Sequence, residues 1–297
     1  MSQYETFASF YIKMCHLWYD TYMSDFVIGD ISGFKDAFDK LICQLPDLEK
    51  TRIVALGDII DRGPQSKEMI QFFIDHPQHI TLMGNHEHMF IKTYESVVEK
   101  KPIYRFYPAI FWIYINGGKD TLKSYGINVP SLSYSREELK NMTHQQYALI
   151  EQLPEVIQMY QEFYKIPLAH IDFLRNLSLM IETPTHIYTH APMSEWNNSK
   201  LFDLQEFESN PVLLDHSCLW SRNLPKRRHG SEKMLVYGHD NKKSVLAQSD
   251  QYRNGYFLDP VETTVPDDTW ALCLDTAKEG FLTGYLTGSN KLFYQVR

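Results

Sequence analysis

Three times in the first third of the chain an apolar run ends in glycine and then in a residue able to hold a metal ion. The runs are Phe26-Val27-Ile28-Gly29-Asp30, Ile53-Val54-Ala55-Leu56-Gly57-Asp58 and Ile80-Thr81-Leu82-Met83-Gly84-Asn85. Short apolar runs rich in β-branched residues read as buried strands of a parallel sheet. Their spacing, about 30 residues, is the length of a right-handed strand–helix–strand crossover. The apolar positions Phe34, Ala37, Phe38, Leu41, Ile42 and Leu45 predict the first crossover helix, and Ser66 to Asp75 the second. Ligands of open α/β sheets bind beyond the carboxyl ends of the strands. Asp30, Asp58 and Asn85 are therefore expected at one site, with Asp61, Arg62 and Gly63 in the loop after the second run. Pro64 suits the first turn of the following helix. Taken alone, the second loop could be structural, with Asp capping the helix and Arg paired to Asp. The recurrence argues otherwise.

Two later runs follow the same rule. Thr185 to Thr189 leads into His190, and Met234 to Tyr237 into Gly238-His239. Tyr256 to Leu258, Trp270 to Leu274, Phe281 to Leu286 and Lys291 to Val296 complete a strand-rich second half, whose close spacing predicts antiparallel hairpins. Between the halves, about 88–176 reads as a helical insertion beside the site, with Asn116-Gly117-Gly118 as a break. The predicted helices there are Glu87–Glu99, Lys119–Tyr125, Arg136–Leu153, Glu155–Tyr164 and Ile171–Leu177. The fold class expected is α/β: two mixed sheets flanked by helices, a layered sandwich. Residues 1–22 are aromatic-rich and predict an amphipathic helical extension ahead of a domain spanning 23–297. They lack the basic start and unbroken apolar centre of a signal peptide.

Composition limits the partners. The 297 residues, 43% of them hydrophobic, suffice for one large domain or two small ones. A net charge of −8 argues against a general nucleic-acid binder. The four cysteines, Cys15, Cys43, Cys218 and Cys273, form no close pair and read as reduced thiols of a cytoplasmic-type protein. No apolar run approaches the roughly 20 residues that span a bilayer, so no membrane partner is expected.

Five apolar runs ending in Asp30, Asp58, Asn85, His190 and His239 supply oxygen and imidazole donors of the kind that borderline divalent metals accept. Converging, they read as a two-metal centre with Asp58 bridging, able to activate water and clamp a phosphoryl group for in-line attack. Arg62 suits a phosphate held by parallel hydrogen bonds.

In this order, Gly29-Asp30-Ile31-x-Gly33, Gly57-Asp58-x-x-Asp61-Arg62-Gly63, Gly84-Asn85-His86-Glu87, His190 and Gly238-His239 resemble the PPP family. That family is the protein serine/threonine phosphatase branch of the calcineurin-like metallophosphoesterases. Trp112 with Asn116-Gly117-Gly118, Thr121-Leu122, Ser124-Tyr125-Gly126, Trp220-Ser221-Arg222 and Leu274-Asp275-Thr276 are similar to bacterial members. The resemblance implies that Asp58, Asn85, His190 and His239 hold one metal and Asp30 with Asp58 the other. It implies His86 as general acid oriented by Asp61, and a phosphate gripped by Arg62, Arg222 and Asn85. Lys226-Arg227-Arg228 reads either as a solvated loop or as an attractor of anionic substrate.

One position departs: the family carries His two residues after the first Asp, where this chain has Ser32. A hydroxyl is the poorer ligand, so the Asp30 metal is expected to bind more weakly. Mn²⁺ is the favoured ion, with Mg²⁺, Fe and Zn²⁺ as alternatives. The expected activity is a phosphoprotein phosphatase on Ser/Thr, with Tyr a further acceptor. A dinucleoside tetraphosphate hydrolase and a degenerate phosphate-binding regulator are the alternatives. Asp61 and Glu87 resemble the phosphatase branch more than the dinucleotide hydrolases.

Overall fold

The alternation of side chains along Ser24–Ile28 (β1) and Thr51–Ala55 (β2) dictates the layering. Phe26, Ile28, Ile53 and Ala55 point to one core, while Val27 and Val54 point to another. Both strands are buried on both faces, so they must lie inside a stack of layers. A computed structural model describes residues 24–101, 108–193, 218–225, 232–242, 244–252, 254–258, 264–277 and 280–297. The expected helix over 1–22 and the basic triplet Lys226-Arg227-Arg228 lie outside the described residues.

Helices Lys35–Ile42 (α1) and Ser66–Asp75 (α2) are the crossovers after β1 and β2. The third strand, Ile80–Thr81 (β3), is shorter than the sequence predicted. It runs into the helix Asn85–Val97 (α3), which takes up the third ligand residue in its first turn. β1, β2 and β3 pair in parallel. The helical stretch then comprises Ala109–Ile115 (α4), Gly118–Ser124 (α5), Arg136–Lys140 (α6), His144–Ile150 (α7), Pro154–Gln161 (α8) and Leu168–Arg175 (α9). The single helix expected over 136–153 is two. Asn141 caps the end of the first, and Thr143 starts the second, its hydroxyl accepting from Gln146 N in a capping box. Pro64 lies ahead of α2 rather than in its first turn; Gln65 is the residue that leads in.

The remaining strands are Met180–Glu182 (β4), His186–Thr189 (β5), Met234–Tyr237 (β6), Val245–Ser249 (β7), Tyr256–Leu258 (β8), Thr269–Cys273 (β9), Phe281–Leu286 (β10) and Lys291–Val296 (β11). One sheet has the order β11-β10-β1-β2-β3, the other β4-β5-β6-β9-β7-β8. The expectation of antiparallel hairpins holds for β10–β11 and β7–β8. It fails at the centre of the second sheet, where β5, β6 and β9 are parallel. This correction matters, because parallel neighbours bring their carboxyl ends to one edge. Val27, Val54, Leu56 and Tyr285 of the first sheet meet Tyr188, Val236, Ala247 and Leu272 of the second in a shared core. The helices cover the outer face of the first sheet. The architecture is two mixed sheets flanked by helices.

At the amino ends of β1 and β2 the sheets are tied by a buried polar triad. Arg52 donates to both carboxylate oxygens of Asp25, at 2.8 and 2.9 Å, and Tyr188 Oη of the other sheet donates to the same carboxylate. The site lies at the opposite edge.

Candidate metal centre

The carboxyl ends of β1 and β2 are knit together by their loops. Ser32 N donates to Asp58 O at 2.7 Å, Gly33 N to Ile59 O at 2.9 Å, and Gly63 N to Ser32 O at 2.8 Å. Such close backbone contact needs Gly33 and Gly63: a Cβ on either would lie within 2.8 Å of the other's backbone. Of eight described non-glycine residues with positive φ, five are Ser32, Asp58, Asp61, Arg62 and His239. Left-handed backbone at non-glycine residues costs energy, and its concentration here marks a functional site.

Glu87 holds the Asp58 turn in this conformation. Its buried carboxylate accepts from Asp58 N at 2.8 Å, Ile59 N at 2.9 Å, Ile60 N at 3.3 Å and Gly84 N at 2.9 Å. Burial and the adjacent Asp58 push its carboxyl up to about 8. The role was not legible in the sequence, because all but one of these donors lie on a distant loop. Asp58 Oδ1 accepts from His86 N at 3.0 Å, at the amino end of α3, where the helix favours an anion.

Asp58, His190 and His239 place donor atoms within 4.8 Å of one another, and all three are buried. Asn85 completes the group: its Oδ1 is 3.0 Å from both His190 Nε2 and His239 Nδ1. The donors belong to two sheets, Asp58 following β2, and His190 and His239 following β5 and β6. The His190 tautomer is fixed, since Nδ1 lies 2.9 Å from Leu56 O and must donate to it. His190 Nε2 therefore presents a lone pair to the lone pairs of Asn85 Oδ1. Two bare acceptors at that distance repel unless a cation joins them, so the donors fit a divalent ion. Burial lowers both imidazoles, His239 strongly, which keeps them neutral and ready to ligate. Burial alone would raise Asp58, but the surrounding field of His190, His86 and Arg62 holds it below the usual carboxylate range.

Asp30 stands beside this group. Its Oδ1 accepts from His239 N at 2.9 Å, in space that only Gly238 leaves open, since a Cβ there would lie 2.5 Å from that oxygen. Burial first, then Asp275 and Asp58, raise the Asp30 carboxyl well above its ordinary value. A cation is what would relieve that crowding of carboxylates. Ser32, at the expected ligand position, instead accepts from Arg62 Nη1 at 3.3 Å. Asp30 O also accepts from Arg297, whose guanidinium covers the Phe34 ring. Arg297 was not singled out by the sequence, and no pattern around it could have done so.

His86 Nδ1 lies 2.5 Å from Asp61 Oδ2, and its Nε2 lies 3.0 Å from Arg62 Nη2. Asp61 also accepts from Trp112 Nε1 at 2.8 Å and from Thr121 Oγ1 at 2.5 Å. These two anchors come from α4 and α5, so the helical stretch reaches the loop. Arg62 stays charged although burial opposes it, because Asp58, Asp30, Asp275 and Asp61 surround it. Arg222 is exposed, apart from the buried cluster, but its charge reaches His239 and Asp240.

A 67-residue stretch is 36% identical to a symmetrical bis(5'-nucleosyl)-tetraphosphatase of Nitrosococcus oceani, covering 22% of this chain and 24% of that protein. An 82-residue stretch is 32% identical to serine/threonine-protein phosphatase 2 of Escherichia coli, covering 27% of this chain and 34% of the other. These matches thus span only a quarter to a third of either relative. Among solved structures, a metallophosphoesterase from Sphaerobacter thermophilus aligns at 11% identity and a TM-score of 0.47, over 92% of this chain and 87% of that one. A cold-active protein-tyrosine phosphatase of a psychrophilic Shewanella aligns at 15% identity and 0.44, over 92% and 77%. The family model described as calcineurin-like phosphoesterase matches residues 26–262, which include Asp30, Asp58, Asp61, Arg62, Asn85, His86, His190, Arg222 and His239. The chain belongs to the calcineurin-like phosphoesterase family.

Proposed function

We propose that the protein is a metal-dependent phosphoprotein phosphatase acting on phosphoserine and phosphothreonine. The observation that carries this is the His86–Asp61 pair next to the buried Asp58, Asn85, His190 and His239 group. In this reading those four residues hold one divalent ion, and Asp30 with Asp58 holds a second. Mn²⁺ is the ion expected. Bound ions would supply a water of lowered pKa and a Lewis-acid clamp on the phosphoryl oxygens.

The chain's own groups do the rest. Arg62 turns its guanidinium from His86 to the phosphate, aided by Asn85 and by Arg222 at the rim. Departure of Arg62 frees His86 Nε2, which takes up a proton from solvent and, facing the leaving oxygen, delivers it there. Asp61 steadies the resulting imidazole through Nδ1. The segment 88–176 shapes substrate access, since Trp112, Gly117 and Thr121 touch the Asp61-Arg62 loop.

A second reading is a dinucleoside tetraphosphate hydrolase, favoured by the Nitrosococcus relative. Glu87 supports the first, because its length lets one carboxylate reach four amides. A degenerate binder would have no use for a buried Asp–His pair. The test is a panel of phosphopeptides and diadenosine tetraphosphate with defined Mn²⁺, Mg²⁺ and Zn²⁺. A higher kcat/KM for phosphopeptides is expected. Preference for the dinucleotide would replace the first reading with the second.

A further inference from the structure

Ser32 occupies the position where a metal ligand was expected, yet its contacts join it to Arg62. Both of its backbone groups are committed to the loop that carries this arginine. Ser32 N donates to Asp58 O at 2.7 Å, and Ser32 O accepts from Gly63 N at 2.8 Å. The residue is 1% exposed and sits at φ 53°, a conformation that costs any residue with a Cβ some energy. Only the hydroxyl is left to act, and Arg62 Nη1 donates to it at 3.3 Å.

The other arm of the same guanidinium is held too, since Arg62 Nη2 donates to His86 Nε2 at 3.0 Å. The stem is confined by the helical stretch. Arg62 N donates to Gly117 O at 3.4 Å, and a Cβ on Gly117 would lie 3.0 Å from Arg62 Cγ. A rigid planar fork held at both terminal nitrogens has its plane and direction fixed. A guanidinium carries five N–H donors, and these contacts use two of them. Arg62 also presents surface to solvent, so an anion can reach it and take two parallel hydrogen bonds. In turning to a phosphate the fork must release His86, whose Nε2 has to face the leaving oxygen. The Ser32 contact carries no such conflict and can persist as Nη2 turns away.

We propose that Ser32 is a positioning residue for phosphate binding. Its hydroxyl holds Nη1 of Arg62 as a pivot while Nη2 passes from His86 to the phosphoryl group. Ser32 thus belongs to the grip on the phosphate and is not a ligand of the ions. The inference rests on the reading of Arg62 as a phosphate-binding residue given above.

The experiment measures binding of inorganic phosphate to the full chain in Mn²⁺ by calorimetry, together with Mn²⁺ uptake by metal analysis. Ser32→Gly removes the hydroxyl and suits the positive φ, so it should fold and take up Mn²⁺ as wild type does. Its affinity for phosphate should fall about 10-fold, the usual worth of a hydrogen bond to a charged group. Ser32→Ala, which keeps the Cβ, should lose as much and covers a Ser32→Gly that fails to fold. In an Arg62→Ala background, removing the hydroxyl should weaken phosphate binding no further, because Ser32 acts through Arg62. The proposal is overturned if Ser32→Gly and Ser32→Ala bind phosphate as tightly as wild type. It is equally overturned if they lose Mn²⁺, which would make Ser32 a ligand, or if their full effect persists without Arg62. An Arg62→Ala variant that binds phosphate like wild type overturns the reading of Arg62 itself, and this inference with it.

Discussion

His86 Nδ1 and Asp61 Oδ2 are 2.5 Å apart in a buried pocket, and both ends of the pair are constrained. Arg62 can only donate, so its 3.0 Å contact makes His86 Nε2 an acceptor and leaves the ring proton on Nδ1, facing Asp61. Asp61 is held in turn by Trp112 and Thr121. The imidazole therefore has one orientation before substrate arrives, and once Arg62 leaves, Nε2 is the nitrogen free to take up a proton and pass it on.

Replacing His86 by Asn should lower kcat by about 10²–10⁴-fold, the usual worth of a positioned acid. Metal uptake should stay the same, because His86 is outside the proposed donor set. Steady-state kinetics and metal analysis on one preparation check both halves. Loss of metal together with activity would make His86 a ligand or a support of the site.

The anchors of Asp61 can be tested without touching the pair. A Cβ on Gly118 would lie 2.4 Å from the Trp112 ring, so Gly118→Ala must displace the indole. Trp112→Phe removes the indole N–H and leaves Asp61 short of a donor, a loss of roughly 1–3 kcal/mol. Both variants should lower kcat more than they raise KM, with metal affinity preserved. Equal damage to metal binding would place Trp112 in the fold rather than behind His86.

Much of this was readable in advance. Asp30, Asp58, Asn85, His190 and His239 stand where buried apolar runs end, and the structure brings them to one edge. What the sequence concealed depended on distant pairing. β7 is buried throughout yet reads VLAQS, and its Gln248 is accommodated by donating to Pro225 O. That polar residue hid the strand. β6 and β9 are separated by an excursion through β7 and β8, so closeness along the chain suggested hairpins where the sheet is parallel. Glu87 acts on a loop far away in sequence, and nothing local announces that role.

Ser32→His adds an imidazole beside Asp30 and removes the acceptor that Arg62 now uses. The Mn²⁺ concentration for half-maximal rate should fall, by about 10–100-fold if the ring ligates. Ser32 is buried at φ 53°, so the ring must be accommodated in a tight turn. A variant that binds no more metal and is no faster at any metal concentration would show that the site is built around serine.

The last prediction concerns pH and lies away from the donors. His186 is buried at the start of β5, stacked on Tyr188, with Nδ1 2.8 Å from Thr185 Oγ1. Burial lowers its pKa from 6.5 to about 4, against the pull of Asp25. The folded value lies below the unfolded one, so between them the unfolded chain binds the extra proton. The stabilising contribution is complete above pH 6.5 and is lost as pH falls toward 4. At pH 5 the loss is roughly 2 kcal/mol. His79, lowered to about 4 by burial and His76, acts in the same direction. Urea unfolding of the chelated protein at pH 7.5 and pH 5.0 should therefore show a drop that His186→Gln reduces by about that amount. An equal drop in wild type and variant would mean that His186 accepts its proton in the fold, with Asp25 supplying the countercharge.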